Sequence, residues 1–270
     1  MSENLYELLA GRFPTDRGKP AFLLSDGARI SYGKLEDAAA RVAGRLVAEG
    51  VQPGDRVALQ VEKSPEAVMI YLGVLKAGAV FLPLNHAYTP AEVDYFLGDA
   101  EPRVFITDAP AYVAGAAAEP LAHAVPRGAA DLASIIYTSG TTGRSKGAML
   151  SHGNLAANAL ALHAAWGFTP HDVLLHALPI FHVHGLFVAL HCAFLSGAPM
   201  VWLPKFADAE VLAGLENATV MMGVPTFYTR LLANPDFTAE RAANLRLFIC
   251  GSAPLLESTF AEFEARTGQR

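Results

Sequence analysis

Ten consecutive residues, Thr138-Ser139-Gly140-Thr141-Thr142-Gly143-Arg144-Ser145-Lys146-Gly147, concentrate the reactive groups of this chain. Three glycines free the backbone to curl, φ > 0 included. Five hydroxyls (Thr138, Ser139, Thr141, Thr142, Ser145) supply donors without bulk, and Arg144 and Lys146 add positive charge. The apolar run 132–137 reads as a buried strand, so the loop opens at a strand end. Amides, hydroxyls and cations facing one hollow are what a polyphosphate needs. A plain flexible loop is the alternative for any Gly/Ser/Thr cluster, but cations at the end of a buried strand are not generic loop filler. The spacing is not Gly-x-x-x-x-Gly-Lys-Ser/Thr, so this is not a Walker A loop and an ordinary P-loop phosphotransferase is disfavoured. Without a Gly-x-Ser-x-Gly elbow, a serine hydrolase is weakly supported.

His182 and His184 would share a face on a strand and could form a metal pair, but no third ligand with usable spacing stands near. His152, beside a helix cap, reads as structural.

Elements that would position these residues follow in order. Ser31 can cap a helix whose apolar side is Leu35, Ala38, Ala39, Val42 and Leu46. Pro53-Gly54 turns into a strand, 57–61. Ser64-Pro65 starts a helix apolar nearly all round, and a strand follows at 80–84. Thr89-Pro90-Ala91-Glu92 is a capping-box start, and a strand is expected at 103–107. This β-α-β-α-β order predicts a parallel sheet with helices packed on it. Ten of the residues 109–130 are alanine, with three prolines and two glycines, which predicts a linker or a short Ala-rich helix. Beyond the loop come a short apolar segment, 148–150, a helix capped by Ser151, and strands at 173–178, 200–203, 220–224 and 245–250. Helices are expected at 186–195 and 208–215, after Pro225 with Arg230 on it, and at the end with Leu256, Phe260 and Phe263 on one side. The expected fold is α/β: stacked β-α subdomains with mostly parallel sheets. The division expected is 1–112, a linker at 113–130, and 131–270 with the phosphate loop.

The 270 residues are 52% hydrophobic and 17% charged, the composition of a globular chain. Net charge is −6 and no basic face appears, which argues against nucleic acid as a partner. Cys192 and Cys250 form no Cys-x-x-Cys pair, and a reducing cytoplasm fits. The N-terminus lacks the pattern of a secretory signal. The apolar run 186–203 contains His191, Ser196, Gly197 and Pro199 and reads as helix, turn and strand, so no membrane partner is expected.

Tyr137 with the ten residues after it resembles the phosphate loop of the adenylate-forming superfamily, which includes acyl-CoA synthetases, firefly luciferases and peptide-synthetase adenylation domains. Leu75 to Leu84 resembles an early superfamily motif, Leu178-Pro179 through His182 and Gly185 the acyl-pocket motif, and Gly251-Ser252-Ala253-Pro254 the adenine-side turn. A narrower resemblance, to malonyl-CoA synthetases, rests on 180–188, 203–206, 222–232 and 246–249. It implies the fold of the large N-terminal domain of these enzymes, and two half-reactions. A carboxylate attacks the α-phosphorus of MgATP, and the thiol of coenzyme A then displaces AMP. Charge building on the leaving pyrophosphate must be neutralised. The resemblance places Thr138, Ser139, Gly140, Thr141, Thr142, Gly143 and Lys146 to do that, with Thr138 and Lys146 catalytic and Thr138 or Thr141 able to touch Mg2+. It assigns Gly251, Ser252 and Ala253 to adenine, and His182 to the acyl pocket, either lining it or gating thiol entry.

Arg230 is the residue expected to recognise a small dicarboxylate, because a guanidinium grips a second carboxylate by two hydrogen bonds. Such charged bonds contribute about 1.5–3 kcal/mol each. The alternative is an exposed helix arginine facing solvent. The superfamily's Tyr-Gly-x-Thr-Glu motif, ribose-binding Asp, hinge and lysine domain are not found, so the chain is expected to be an N-terminal portion. The competing expectation is a non-catalytic nucleotide- or acyl-binding remnant, or one half of a split assembly.

Overall fold

The computed structural model describes residues 2–138 and 145–269. In chain order its first elements are α1 (Leu5–Ala10), β1 (Pro20–Leu24), β2 (Arg29–Ser31), α2 (Tyr32–Ala48), β3 (Arg56–Gln60), α3 (Pro65–Lys76), β4 (Val80–Leu84), α4 (Pro90–Ala100), β5 (Val104–Ile106) and α5 (Ala109–Ala114). Then come β6 (Leu132–Thr138), β7 (Lys146–Ser151), α6 (His152–Trp166), β8 (Leu174–His176), a π-helical segment (His184–Leu190), α7 (His191–Ser196) and β9 (Met200–Trp202). The last are α8 (Asp208–Leu215), β10 (Val220–Gly223), α9 (Pro225–Ala233), α10 (Ala239–Ala242), β11 (Leu247–Cys250) and α11 (Glu257–Thr267).

The helix starts follow their caps. Ser31, Ser64 and Ser151 each accept from a backbone N–H three residues on. Thr89 and Glu92 close a reciprocal capping box. Gly268 ends α11 in the left-handed region at φ 72°, which glycine adopts without strain.

These elements form an α/β fold with two mostly parallel sheets, as expected. One sheet has the order β5-β3-β4-β6-β7 and the other β11-β10-β8-β9-β1-β2. Among the described residues, only the hairpin pairs β1–β2 and β6–β7 are antiparallel. The strand partners cross the divide expected at 113–130. β1, for which no element is predicted above, lies parallel to β9, pairing Phe22 with Met200. β6 lies beside β4, and Ser134 Oγ donates to the Phe81 carbonyl at 2.7 Å. The stretch expected to be a linker begins with α5 and then runs against the α2–α3 pair: Leu121 N donates to Ala40 O and Val125 N to Lys76 O. A Cβ on Gly44 would lie 2.0 Å from the Glu119 carbonyl, so only glycine admits this close approach.

Two expectations change in detail. The helix expected at 186–195 is π-helical through Leu190 and α-helical only from His191. Gly185 at its start is pressed against Pro179, whose carbonyl oxygen lies 2.1 Å from where a Cβ would stand. On α11, Phe263 is buried while Phe260 is exposed, as is Leu256 just before the helix, so that apolar side is only partly covered. Among the described residues, no helix is long and apolar enough to cross a membrane.

Two buried histidines give the fold an acid sensitivity. His152 Nδ1 accepts from Leu5 N at 3.0 Å, and burial, with Arg127 nearby, lowers its pKa to about 4. His191 Nε2 lies 2.8 Å from Tyr71 Oη, and burial lowers its pKa to about 3. Unfolded, both titrate near 6.5, so the unfolded chain binds protons first as pH falls. Their contribution is complete above pH 6.5 and is lost progressively down to the folded values. Through these two alone, urea unfolding at pH 5.5 should give a free energy roughly 2–3 kcal/mol below that at pH 7.5, and His176 and His184, also buried, add to the loss. The His191→Gln variant should lose about 1.4 kcal/mol of that pH dependence.

Candidate active site

The two sheets meet around a cavity of about 410 Å3. Its walls come from chain that follows the C-terminal ends of parallel strands β3, β4, β8 and β9, and from the start of α9. Such crevices are where open α/β sheets bind ligands. Lys63, His86, Phe181, Lys205, Phe206 and Phe227 line it among mostly apolar neighbours.

Lys63 ties the two sheets together beside this cavity. It follows β3 of the five-stranded sheet, and its Nζ donates to Leu203 O and His176 O, each at 2.7 Å, in the six-stranded one. The third contact, 2.9 Å, is to His176 Nδ1. His176 Nε2 lies 2.9 Å from the Gly185 carbonyl, which can only accept, so Nε2 carries the proton and Nδ1 accepts from the lysine. All three ammonium donors are thereby used. The ammonium also stands 4.1 Å from the centroid of the Trp202 ring. Burial lowers the pKa of Lys63 and, helped by the lysine's charge, that of His176. Neither residue was singled out from the sequence. Lys63 precedes the Ser64-Pro65 helix start, and nothing in its local pattern separates it from a solvated lysine.

The β8–π-helix connection carries the histidine motif. Ile180 and Phe181 line the cavity, and the His182 ring packs on Phe181 at 4.4 Å. Partial burial lowers the His182 pKa. His184 faces the other way: it is buried, and its Nδ1 lies 3.1 Å from Ser252 Oγ. A Cβ on Gly251 would meet the His184 ring at 3.2 Å. Thus His184, not His182, supports the 251–253 turn. Gly251 N donates to Gly223 O, Ser252 takes φ 69°, and Ser252 and Ala253 are exposed. The two histidines part because the chain enters a helix here and not the strand on which they would share a face.

Arg230 sits on α9, three residues beyond Phe227. Its guanidinium carbon is 4.6 Å from the Phe206 ring centroid, and the Phe206 and Phe227 centroids are 4.1 Å apart. The structure therefore brings Arg230 to the aromatic edge of the cavity. Its Nη2 also stands 3.0 Å from Asp208 Oδ1.

Thr138 and Lys146 face each other at the loop end of the β6–β7 hairpin, and both are exposed. Tyr95 Oη donates to the Ser145 carbonyl at 2.9 Å. Ser139, Gly140, Thr141, Thr142 and Gly143 lie outside the described residues. Among the described residues, nothing hydrogen-bonds to the Lys146 ammonium, and no contact joins it to His182 or Arg230. No group of three or more His, Cys, Asp or Glu converges among the described residues. The exposed Thr138 hydroxyl fits a Mg2+ ion carried largely by phosphate oxygens and water.

The chain belongs to the family of AMP-binding enzymes, whose pattern matches residues 10–270. The solved structure of ATP-bound MatB from Rhodopseudomonas palustris is 48% identical, with a TM-score of 0.93 over 99% of this chain and 58% of that one. A benzoate CoA ligase from Burkholderia xenovorans LB400 is 26% identical, with a TM-score of 0.87 over 99% of this chain and 59% of its own. A feruloyl-CoA synthase of Amycolatopsis sp is 34% identical over 85% of this chain and 50% of its own length. A mitochondrial malonate–CoA ligase of Mus musculus is 30% identical, covering 94% and 53%. These relatives are acyl-CoA ligases, and the chain spans about half the length of the curated relatives it matches.

Replacing Lys63 by methionine removes three donors and strands buried acceptors. It should lower unfolding free energy by about 2–4 kcal/mol. Lys146→Met, at an exposed position, should change it by less than about 0.5 kcal/mol. Guanidinium titrations of both variants check this.

Proposed function

We propose that this chain carries the nucleotide- and acyl-binding part of an ATP-dependent acid–thiol ligase for malonate or a similar short dicarboxylate. In the first half-reaction a carboxylate oxygen bonds to the α-phosphorus, the bond to the bridging oxygen breaks, and pyrophosphate leaves. In the second, the sulfur of coenzyme A bonds to the acyl carbon and AMP leaves. The observation that carries the dicarboxylate reading is the position of Arg230, with its guanidinium over Phe206 at the edge of the cavity. One carboxylate of the substrate reacts; the other is gripped by two charge-assisted hydrogen bonds.

The remaining roles follow from the chemistry. Lys146 and the Thr138 hydroxyl, at the mouth of the hairpin that frames the loop, offset charge on the leaving pyrophosphate. Ser139, Gly140, Thr141, Thr142 and Gly143 contribute amides and hydroxyls to the same end. Bound Mg2+ would supply further neutralisation of the phosphates, with Thr138 or Thr141 as an oxygen donor. Gly251, Ser252 and Ala253 offer backbone to the adenine, and His184 holds that turn in place. His182, packed on Phe181, borders the acyl pocket or gates the thiol's approach. Relatives named as malonate–CoA ligases support this choice of substrate, while a feruloyl-CoA synthase and a benzoate CoA ligase mark how widely the acyl pocket varies.

A second reading is a nucleotide- and acyl-binding unit that is not catalytic by itself, or one half of a split assembly. Exchange of labelled pyrophosphate into ATP, dependent on malonate, separates the two. Exchange supports the ligase, and nucleotide binding without exchange supports the binding unit. In the ligase, Arg230→Ala should raise the malonate KM by more than about tenfold while changing acetate use little. Equal losses on both acids would remove Arg230 from substrate recognition. Lys146→Ala should lower the exchange rate by about a hundredfold or more, with a smaller effect on the malonate KM.

A further inference from the structure

Arg230 is already engaged by a carboxylate. Asp208, the first residue of α8, brings Oδ1 to 3.0 Å from Arg230 Nη2. The pair is close but badly directed. Asp208 Oδ1 is buried, and among the described residues it has no hydrogen bond of proper geometry. Arg230 stays about half exposed, at 51% of its side-chain surface, so one side of its fork is open. Its guanidinium carbon stands 4.6 Å from the Phe206 ring centroid, and that ring packs on Phe227. A guanidinium and a carboxylate that meet well do so by two parallel bonds. Here the charge is matched while those bonds are not made.

We propose that Asp208 is a stand-in for the second carboxylate of the substrate. It holds Arg230 over Phe206 while the site is empty and gives way when a dicarboxylate enters, which makes Asp208 a determinant of specificity. This rests on the dicarboxylate reading of Arg230. The guanidinium exchanges one carboxylate for another and stays paired, while the released Asp208, 38% exposed at the start of α8, turns to water. A monocarboxylate offers nothing to displace Asp208, and Arg230 then stays paired. The aspartate therefore weakens dicarboxylate binding somewhat and leaves monocarboxylate binding alone. Lys205 also lines the cavity, but its charge acts on any anion and does not separate the two classes.

The test uses the chain as it stands, with malonate and acetate as probes titrated by saturation-transfer NMR. Asp208→Asn keeps the shape and removes the charge. Asp208→Ser keeps a residue suited to a helix start, and urea unfolding reports that each variant folds. Both variants should bind malonate about threefold more tightly, the scale of an exposed ion pair removed, with acetate unchanged. Arg230→Ala should lose malonate binding in either background. Equal tightening of malonate and acetate would mean a general charge effect and overturn the inference. Unchanged or weaker malonate binding in the Asp208 variants, with Arg230→Ala still deleterious, would make Asp208 a support for Arg230; the inference fails and the dicarboxylate reading stands. Malonate binding that is indifferent to Arg230→Ala, or absent in every form, removes that reading and the inference with it.

Discussion

The cavity exists because two sheets are held at a fixed separation, and one ammonium group does much of the holding. Lys63 leaves the end of β3 and places its three N–H donors on His176 and Leu203 of the opposite sheet. A buried lysine is costly unless every donor is met, and here each one is. The same contact fixes which nitrogen of His176 carries the proton. That in turn fixes the hydrogen bond to Gly185, where the chain turns into its π-helical segment. One residue before it, His184 reaches Ser252 in the 251–253 turn. A short series of polar contacts thus runs from the cavity wall to the turn read as the adenine side.

Around that frame the chemistry is divided between places of different character. The aromatic edge formed by Phe206 and Phe227 is rigid, being made of rings packed on one another, and it sets where a guanidinium can lie. A guanidinium over a ring is constrained by geometry as much as by charge. Thr138 and Lys146, by contrast, are exposed at the end of a hairpin. An exposed ammonium is well solvated and becomes a strong electrostatic partner only when a ligand excludes water. The arrangement suits a reaction whose charge appears on a departing polyphosphate, and it agrees with membership of the AMP-binding enzymes.

Many helix starts, most strand positions and the class of fold were legible residue by residue, but β1 and β2 were not. Ser31, Ser64, Ser151 and the Thr89–Glu92 box mark helices because a cap's partner lies only three residues away. The run Val80 to Leu84 reads as a buried strand because it is apolar throughout, and every residue in it is buried. The loop 138–147 is read as a phosphate site from its glycines, hydroxyls and cations, and residues 139–144 of it lie outside the described residues. Arg230 was singled out by its resemblance to a family pattern, since an arginine near a helix end has no local signature of ligand binding.

Other features had no local cause to read. That β1 joins β9, some 180 residues away, and that β6 joins β4 are choices among strand partners, decided by which edges remain open once the helices are packed. The opposite facing of His182 and His184 came from a helical backbone begun where Gly185 meets Pro179. Lys63, His176 and Asp208 acquire meaning only from atoms contributed by distant chain. Spacing and residue type by themselves determined most of the elements and their caps, because those depend on neighbours within a few residues. Only the tertiary structure decided which charges meet and which are buried, because a buried ion's partner is set by where the packed sheets leave room for it.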